Sequence, residues 1–284
     1  MREPTQKDKL DLVHISLVSY NSPLSVLLNA IISALRSLQE LQRIYPTASC
    51  SITLIDNFES HKLSLNDFSP IQPDLVEAKC RLRLIQGHGN IGYGRGHNLA
   101  FGDPPARYHL FMNPDVEIEL DCLRTGIEYL EENYDVAIVS PHAVDAIGDK
   151  QFLCKRYPSV FDFFARGFMP KTFKRFLMER LFRYEMRELS EYEPTKEISI
   201  VSGCFMLCRS ETVAAVSGFD PLYFLYFEDF DLSMRVGKIG SIAYLPTMRI
   251  RHKGGYAARK GLKHILLFCK SGFRFFHNHG WKWL

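Results

Sequence analysis

Three scarcities narrow what this 284-residue sequence can encode. Its seven cysteines, an odd number, include no Cys-x-x-Cys pair, so neither a disulfide framework nor a structural zinc site is written here. Apolar runs stay short of the ~20 residues that a membrane span needs, and residues 1–11 are too polar for a signal peptide. Charge of one sign is missing too: the net charge is +3, which gives no global reason to expect a nucleic-acid partner. A protein of the reducing cytoplasm fits all three. What remains is ample for a core, because 46% of residues are hydrophobic and 13% aromatic.

Strand-like and helix-like segments alternate along the chain. Residues 13–20, 51–55, 81–85, 108–112 and 136–140 read as buried strands. Asn21-Ser22-Pro23 caps and starts a helix running to about residue 44, and further helices are expected near 96–101 and 120–133. This alternation predicts an α/β fold: a mostly parallel sheet covered by helices, with ligands at the C-terminal ends of the strands. The basic, aromatic stretch 161–193 breaks the pattern and reads as a helical insert of about 159–195. Strand character returns at 198–207, where Cys204, Met206 and Cys208 alternate onto one face as buried small hydrophobes. A helix over 228–236 and a strand over 242–245 follow. The chain thus divides into a main domain, 1–260, and a cationic, aromatic tail, 261–284.

Polar residues gather where the strands end. Ser19-Tyr20-Asn21 closes the first strand and Asp56-Asn57 the second. A carboxylate there can accept the imide N–H of a pyrimidine, although Asp and Asn suit any strand-end turn. The loop Asn90-Ile91-Gly92-Tyr93-Gly94-Arg95-Gly96-His97-Asn98 lacks the Gly-x-Gly-x-x-Gly of dinucleotide binders, which excludes a nicotinamide site. Its glycines either let backbone approach a ligand, with Arg95 beside a phosphate, or make a plain turn. Asn113-Pro114-Asp115 is a degenerate Asp-x-Asp: one aspartate plus a diphosphate suffices for a hard divalent cation, and a proline turn is the plainer reading. Glu228, Asp229 and Asp231 crowd a helix start. Asp231 suits an i,i+4 pair with Arg235, while Glu228 and Asp229 follow the apolar run 223–227, whose bulk would raise a carboxylate's basicity. His252, just before Gly254-Gly255, is on its own as consistent with a surface histidine as with a ligand.

Together these motifs resemble glycosyltransferase family 2 on a GT-A fold, and within it the bacterial rhamnosyltransferases of O-antigen and related polysaccharide assembly. The resemblance covers about 13–260. It rests most on Val18-Ser19-Tyr20-Asn21-Ser22, Ile55-Asp56-Asn57, the glycine loop, Phe111-Met112-Asn113-Pro114-Asp115, Gly203 and Phe227-Glu228-Asp229-Phe230-Asp231-Leu232. It implies Asp229 as catalytic base with Glu228 beside it, Asp115 and His252 as ligands of Mg2+ or Mn2+, and Asp56 at the nucleobase. Gly203 and Glu228 would lie near the acceptor. Ser19, Tyr20, Asn21, Asn57, Asn90, Gly92, Arg95 and Asn113 would complete the nucleotide-sugar site, Asn113 standing where Asp-x-Asp members carry their first acid.

The implied reaction is inverting transfer of L-rhamnose from dTDP-β-L-rhamnose to a hydroxyl of a glycan or polyprenyl-diphosphate-linked acceptor. The alternatives are the same fold using a UDP-hexose or UDP-galactofuranose, a non-catalytic nucleotide-sugar or glycan-binding relative, and a membrane scaffold organised by the tail. In that tail Leu262, Ile265, Leu266, Phe273 and Phe276 fall at helical spacing on one side, with Lys263, Lys270, Arg274, Trp281 and Trp283 nearby. Such a helix would either lie on the inner face of the cytoplasmic membrane or close the domain's own core.

Overall fold

The structure, a computed structural model, describes residues 11–60, 63–168, 177–254 and 261–284. Strands β1 (Asp11–Ser19), β2 (Cys50–Asp56), β3 (Cys80–Ile85) and β4 (Ala106–Met112) form the parallel half of the sheet in the order β3-β2-β1-β4. β1 and β2 are nearly continuous buried runs, as strands covered on both faces must be. Beyond β4 the sheet is mixed. A short β5 (Val116–Ile118), β6 (Val136–Val144), β7 (Lys150–Gln151), β8 (Cys154–Lys155), β9 (Ile200–Val201), β10 (Phe205–Arg209) and β11 (Ser241–His252) follow in the chain. β10 lies antiparallel between β4 and β6, β11 runs parallel to β6, and β5 closes the far edge antiparallel to β11. Because β10 runs against its neighbours, its first residues meet their C-terminal ends.

The single strand expected over 198–207 is therefore two. β9 pairs with β8 in a separate small sheet, and Ser202-Gly203-Cys204 separates it from β10. This also corrects the one-face reading of Cys204, Met206 and Cys208. All three are buried, but Cys204 packs with one face's core while Met206 and Cys208 pack with the other.

Helices α1 (Leu24–Ile44) and α4 (Cys122–Glu132) cover the first face, and α2 (Gln72–Glu77), preceded by a 3-10 helix (Leu65–Ile71), extends it. Pro23 stands at the N-cap of α1 rather than inside it. By length and composition α1 could cross a membrane, its mean hydropathy being 1.2, which corrects the expectation that no segment would qualify. Leu27, Ile31, Ala34, Leu35 and Leu38 are nevertheless wholly buried at helical spacing, so α1 is a core helix. On the other face lie α3 (Tyr93–Ala100), α7 (Ser210–Ala215) and α8 (Glu228–Val236). The two-residue strand period sorts side chains between the layers: Leu110 and Met112 face α1, while Phe111 points to the α3 and α8 side.

The expected insert contains α5 (Val160–Phe168) and α6 (Met178–Tyr184), while residues 169–176 of the basic stretch lie outside the described residues. So do residues 255–260, where the boundary before the tail was placed, including Gly255. The tail forms α9 (Leu262–His279). Phe275 and Phe276 of α9 are buried beside Tyr223 and Phe227, whereas Leu262 is 79%, Leu266 70% and Phe273 63% exposed. Phe276 thus belongs to the packed face, not to the stripe it was grouped with.

Candidate active site

Donor end. Ser19 and Asp56 are register partners at the ends of β1 and β2, and Asn21 adopts a left-handed φ of 56° as the chain leaves β1. These residues line a cavity of about 570 Å3 with Phe58, Leu63 and Asp67. Asp56 is 3% exposed, and its Oδ1 accepts a hydrogen bond from the Phe58 amide at 3.1 Å, an Asx turn that aims the carboxylate. Tyr20, largely exposed, sets its ring edge-on to Phe58.

The glycine loop packs closely against the rest of the fold. Asn57 turns inward: its side-chain amide donates to the Gly92 carbonyl at 3.0 Å, and its Oδ1 lies 3.0 Å from His88 Nε2. Gly92 holds φ 90°, and a Cβ there would lie 2.1 Å from the Phe224 carbonyl oxygen, so only glycine permits this approach. Gly94 and Gly96 press likewise against Phe219 and Val18. Asn90 Oδ1 accepts from the Gly92 amide, and the Arg95 guanidinium donates to the Pro221 carbonyl at 2.5 Å. In this chain the loop joins the donor end to the 219–227 segment that carries the acids.

Base corner. Glu228 and Asp229 open α8 after two consecutive non-glycine residues in left-handed backbone, Tyr226 at φ 69° and Phe227 at φ 65°. Asp229 accepts hydrogen bonds from the Gly203 amide at 2.8 Å and the Phe230 amide at 2.9 Å. Burial raises its carboxyl above the ordinary aspartate value, against the pull of those amides. Glu228 is 5% exposed and its Oε2 has no hydrogen-bond partner among the described residues; burial and then the neighbouring Asp229 charge push it well above the usual glutamate range. Any side chain at position 203 would meet Asp229 and Tyr93 at 3.1–3.2 Å. The Tyr93 hydroxyl donates to the Gly203 carbonyl, and burial, then Glu228, Asp229 and Asp115 among nearby acids, keep it protonated.

The same turn reaches the third motif. The Asn113 amide donates to the Cys204 carbonyl at 2.8 Å, so Gly203-Cys204 grips Asp229 on one side and the end of β4 on the other. Pairing of β5 with β11 sets His252 opposite Val116, one residue from Asp115. His252 Nε2 then lies 3.5 Å from Asp115 Oδ1.

Gln151 on β7 orients that ring. Its Nε2 donates to the His252 carbonyl at 3.0 Å, so its Oε1 must face Nδ1, 2.8 Å away, and accept the Nδ1 proton. In the neutral ring this leaves the Nε2 lone pair directed to the carboxylate. One nitrogen and one oxygen donor so placed fit a hard divalent cation that takes its other ligands from phosphate and water. Among the described residues there is no group of three or more His, Cys, Asp or Glu side chains placed to hold a metal by themselves.

Sequence reasoning did not single out Gln151, Tyr93 or Asp67. Tyr93 stood inside a quoted motif, whereas Gln151 lies on a two-residue strand with no local signal. It also missed a buried histidine cluster beneath the donor half: Ser16 Oγ lies 2.6 Å from His97 Nδ1 and 2.8 Å from His109 Nε2, and His14 Nε2 meets Thr53 Oγ1 at 2.8 Å. Burial holds His14 down to about 4 and His97 to about 3.

No protein-family model matches the chain. It is 28% identical over 204 residues to Rhamnosyltransferase WbbL of Escherichia coli (strain K12), covering 68% of this chain and 73% of that protein. It is 25% identical over 221 residues to N-acetylglucosaminyl-diphospho-decaprenol L-rhamnosyltransferase of Mycobacterium tuberculosis (strain CDC 1551 / Oshkosh), covering 72% of this chain and 71% of that protein. Among solved structures, GalNAc-T7 with UDP, GalNAc and Mn2+ superposes with a TM-score of 0.64 at 14% identity. That match covers 95% of this chain but spans only 48% of the neighbour. S. aureus TarS 1-349 in complex with UDP gives a TM-score of 0.54 at 12% identity, over 94% of this chain and 72% of that one. At such identities the structural likeness speaks for the fold. The chain folds as a GT-A glycosyltransferase and resembles bacterial rhamnosyltransferases in sequence, as its motifs led one to expect.

Proposed function

We propose that this chain is an inverting, divalent-cation-assisted glycosyltransferase that moves L-rhamnose from dTDP-β-L-rhamnose to a hydroxyl of a glycan or polyprenyl-diphosphate-linked saccharide in surface-polysaccharide synthesis. The observation that carries this reading is the junction at Gly203-Cys204, which joins the Asp229 carboxylate to the strand end bearing Asp115, with His252 beside it. Asp229, its basicity raised by burial, takes the acceptor proton as the acceptor oxygen attacks the anomeric carbon. The bond from that carbon to the diphosphate oxygen breaks on the opposite face, and the nucleoside diphosphate leaves with inversion. Mg2+ or Mn2+ held by Asp115 and His252 would neutralise charge on the diphosphate. Asp56, aimed into the donor cavity, would read the pyrimidine ring.

The relative from Mycobacterium tuberculosis is named for a diphospho-decaprenol acceptor, which supports a lipid-linked acceptor here. The exposed face of α9 supports placing it at an anionic inner membrane surface. Leu262, Leu266 and Phe273 lie on that face, Trp281 and Trp283 follow, and Lys263 and Lys270 flank it.

A panel of dTDP, UDP and GDP sugars with Mg2+ or Mn2+, assayed for hydrolysis and transfer, tests the reading. Turnover of dTDP-rhamnose above the others is expected. Turnover of a UDP sugar alone would move the donor assignment to the UDP-hexose or UDP-galactofuranose reading, and silence on every donor would leave a non-catalytic binding protein.

A further inference from the structure

Two consecutive non-glycine residues in left-handed backbone are strained, and Tyr226-Phe227 lie immediately before the acids of the base corner. Beside Phe163 of α5, whose ring packs on Phe227, one face of one helix meets them. His264 Nδ1 lies 2.9 Å from the Tyr226 hydroxyl, and Ser271 Oγ donates to the Leu225 carbonyl at 2.8 Å. The Phe227 ring lies against bare Gly272, where a Cβ would sit 3.2 Å from Cζ. One turn past the strained pair, His279 Nε2 meets Asp231 Oδ1 at 2.8 Å, with the side chains only 4% and 3% exposed. Positions 264, 268, 271–272, 275 and 279 recur at helical spacing and meet residues 225–231, while Phe268, Phe275 and Phe276 also pack on Tyr157 and Phe163.

We infer that α9 is a brace that aims Asp229, with His264, Ser271, Gly272 and His279 as positioning residues that hold Tyr226-Phe227 in their left-handed conformation. This rests on the proposed transfer reaction, in which Asp229 is the base. None of the four reaches the donor cavity, so their effect is confined to the chemical step. A base displaced by ~1 Å costs about 100-fold in rate.

The test uses the full chain and three variants: Gly272→Val, His279→Leu and the conservative His279→Gln, whose amide still donates to Asp231. Gly272→Ala, which adds only the Cβ, replaces Gly272→Val if that variant does not fold. For Gly272→Val and His279→Leu, kcat should fall about 10- to 100-fold while donor KM and dTDP affinity stay within about twofold. His279→Gln should recover kcat to within about threefold of wild type. Independently of activity, hydrogen exchange should quicken at the Gly203 and Phe230 amides, which bond the Asp229 carboxylate, and stay unchanged around Asp56. Unchanged kcat and exchange would overturn the brace, and so would a parallel fall of kcat, dTDP affinity and melting temperature. If the wild-type chain transfers no sugar, the transferase reading fails and the exchange measurement alone decides whether α9 orders Asp229.

Discussion

Asp56 opens onto a cavity of about 570 Å3 at the ends of two parallel strands, whereas Glu228 is shut in at the start of α8 with one carboxylate oxygen unpartnered among the described residues. The donor end is local: adjacent strands, one in-register pair and an Asx turn create it. The base corner is assembled from distant pieces, the Gly203-Cys204 turn, the glycine loop, the 219–227 segment and α9, and it holds strained backbone and carboxyls raised by burial. Binding surface forms cheaply where strands end, while a basic carboxylate must be enclosed and held by partners far away in sequence. If this division is correct, substitutions at the two places separate affinity from turnover.

The largest effect belongs to the corner. Asp229→Asn should lower transfer by about 10²–10⁴ and leave dTDP affinity, read by calorimetry, nearly unchanged. Next is the support of His252. Gln151→Leu removes the acceptor for the Nδ1 proton and should weaken Mn2+ binding in the presence of dTDP by about 10- to 100-fold. An unchanged Mn2+ titration would separate Gln151 from the metal ligand it is argued to orient. At the donor end, Asp56→Ala should weaken dTDP and UDP by about tenfold, the loss of one charge-assisted hydrogen bond, and flatten their advantage over ADP and GDP. A purine preference in the wild type would refute the Asp56 assignment.

The last effect is on stability rather than on affinity or turnover, and it has opposite signs in the two regions. His14 is depressed to about 4 and His97 to about 3, chiefly by burial. The unfolded chain therefore takes up their protons first, near pH 6.5. Their contribution to stability is complete above about pH 6.5 and is lost as pH falls toward those values, at roughly 1.4 kcal/mol per pH unit for each histidine. Glu228 is raised, so its contribution is complete below the ordinary glutamate value and is lost as pH climbs through the folded one. Urea midpoints between about pH 4 and 7 should rise with pH in the wild type and rise less in His14→Gln. In Glu228→Gln the midpoint should increase at neutral pH. The same rise with pH in His14→Gln as in the wild type would mean that His14 is not held neutral in the fold.

The difference between the regions also governs how much could be read from the sequence. The apolar runs that become β1 to β4 announced themselves, and so did the polar residues closing them and the acids at the start of α8. The pieces that needed partners did not. β5 and β7 are too short to show a period, and Pro70 and Pro73 obscured the helical turns at 65–77. Nothing local reveals that β10 runs antiparallel, although that direction brings Gly203 to Asp229. The glycines of 92–96 were visible, but their reason, close approach to the Phe224 carbonyl, Phe219 and Val18, lies across the fold. The tail posed a choice between membrane contact and core; α9 packs one face on the core and exposes the other, which keeps the membrane contact a proposal.

The most direct test places Asp56→Ala and Asp229→Asn side by side, with dTDP affinity and kcat at saturating donor measured for each. The account predicts a crossed result: Asp229→Asn keeps its affinity and loses turnover, and Asp56→Ala loses affinity and keeps turnover. If either substitution moves both quantities together, the separation between donor pocket and base corner is contradicted.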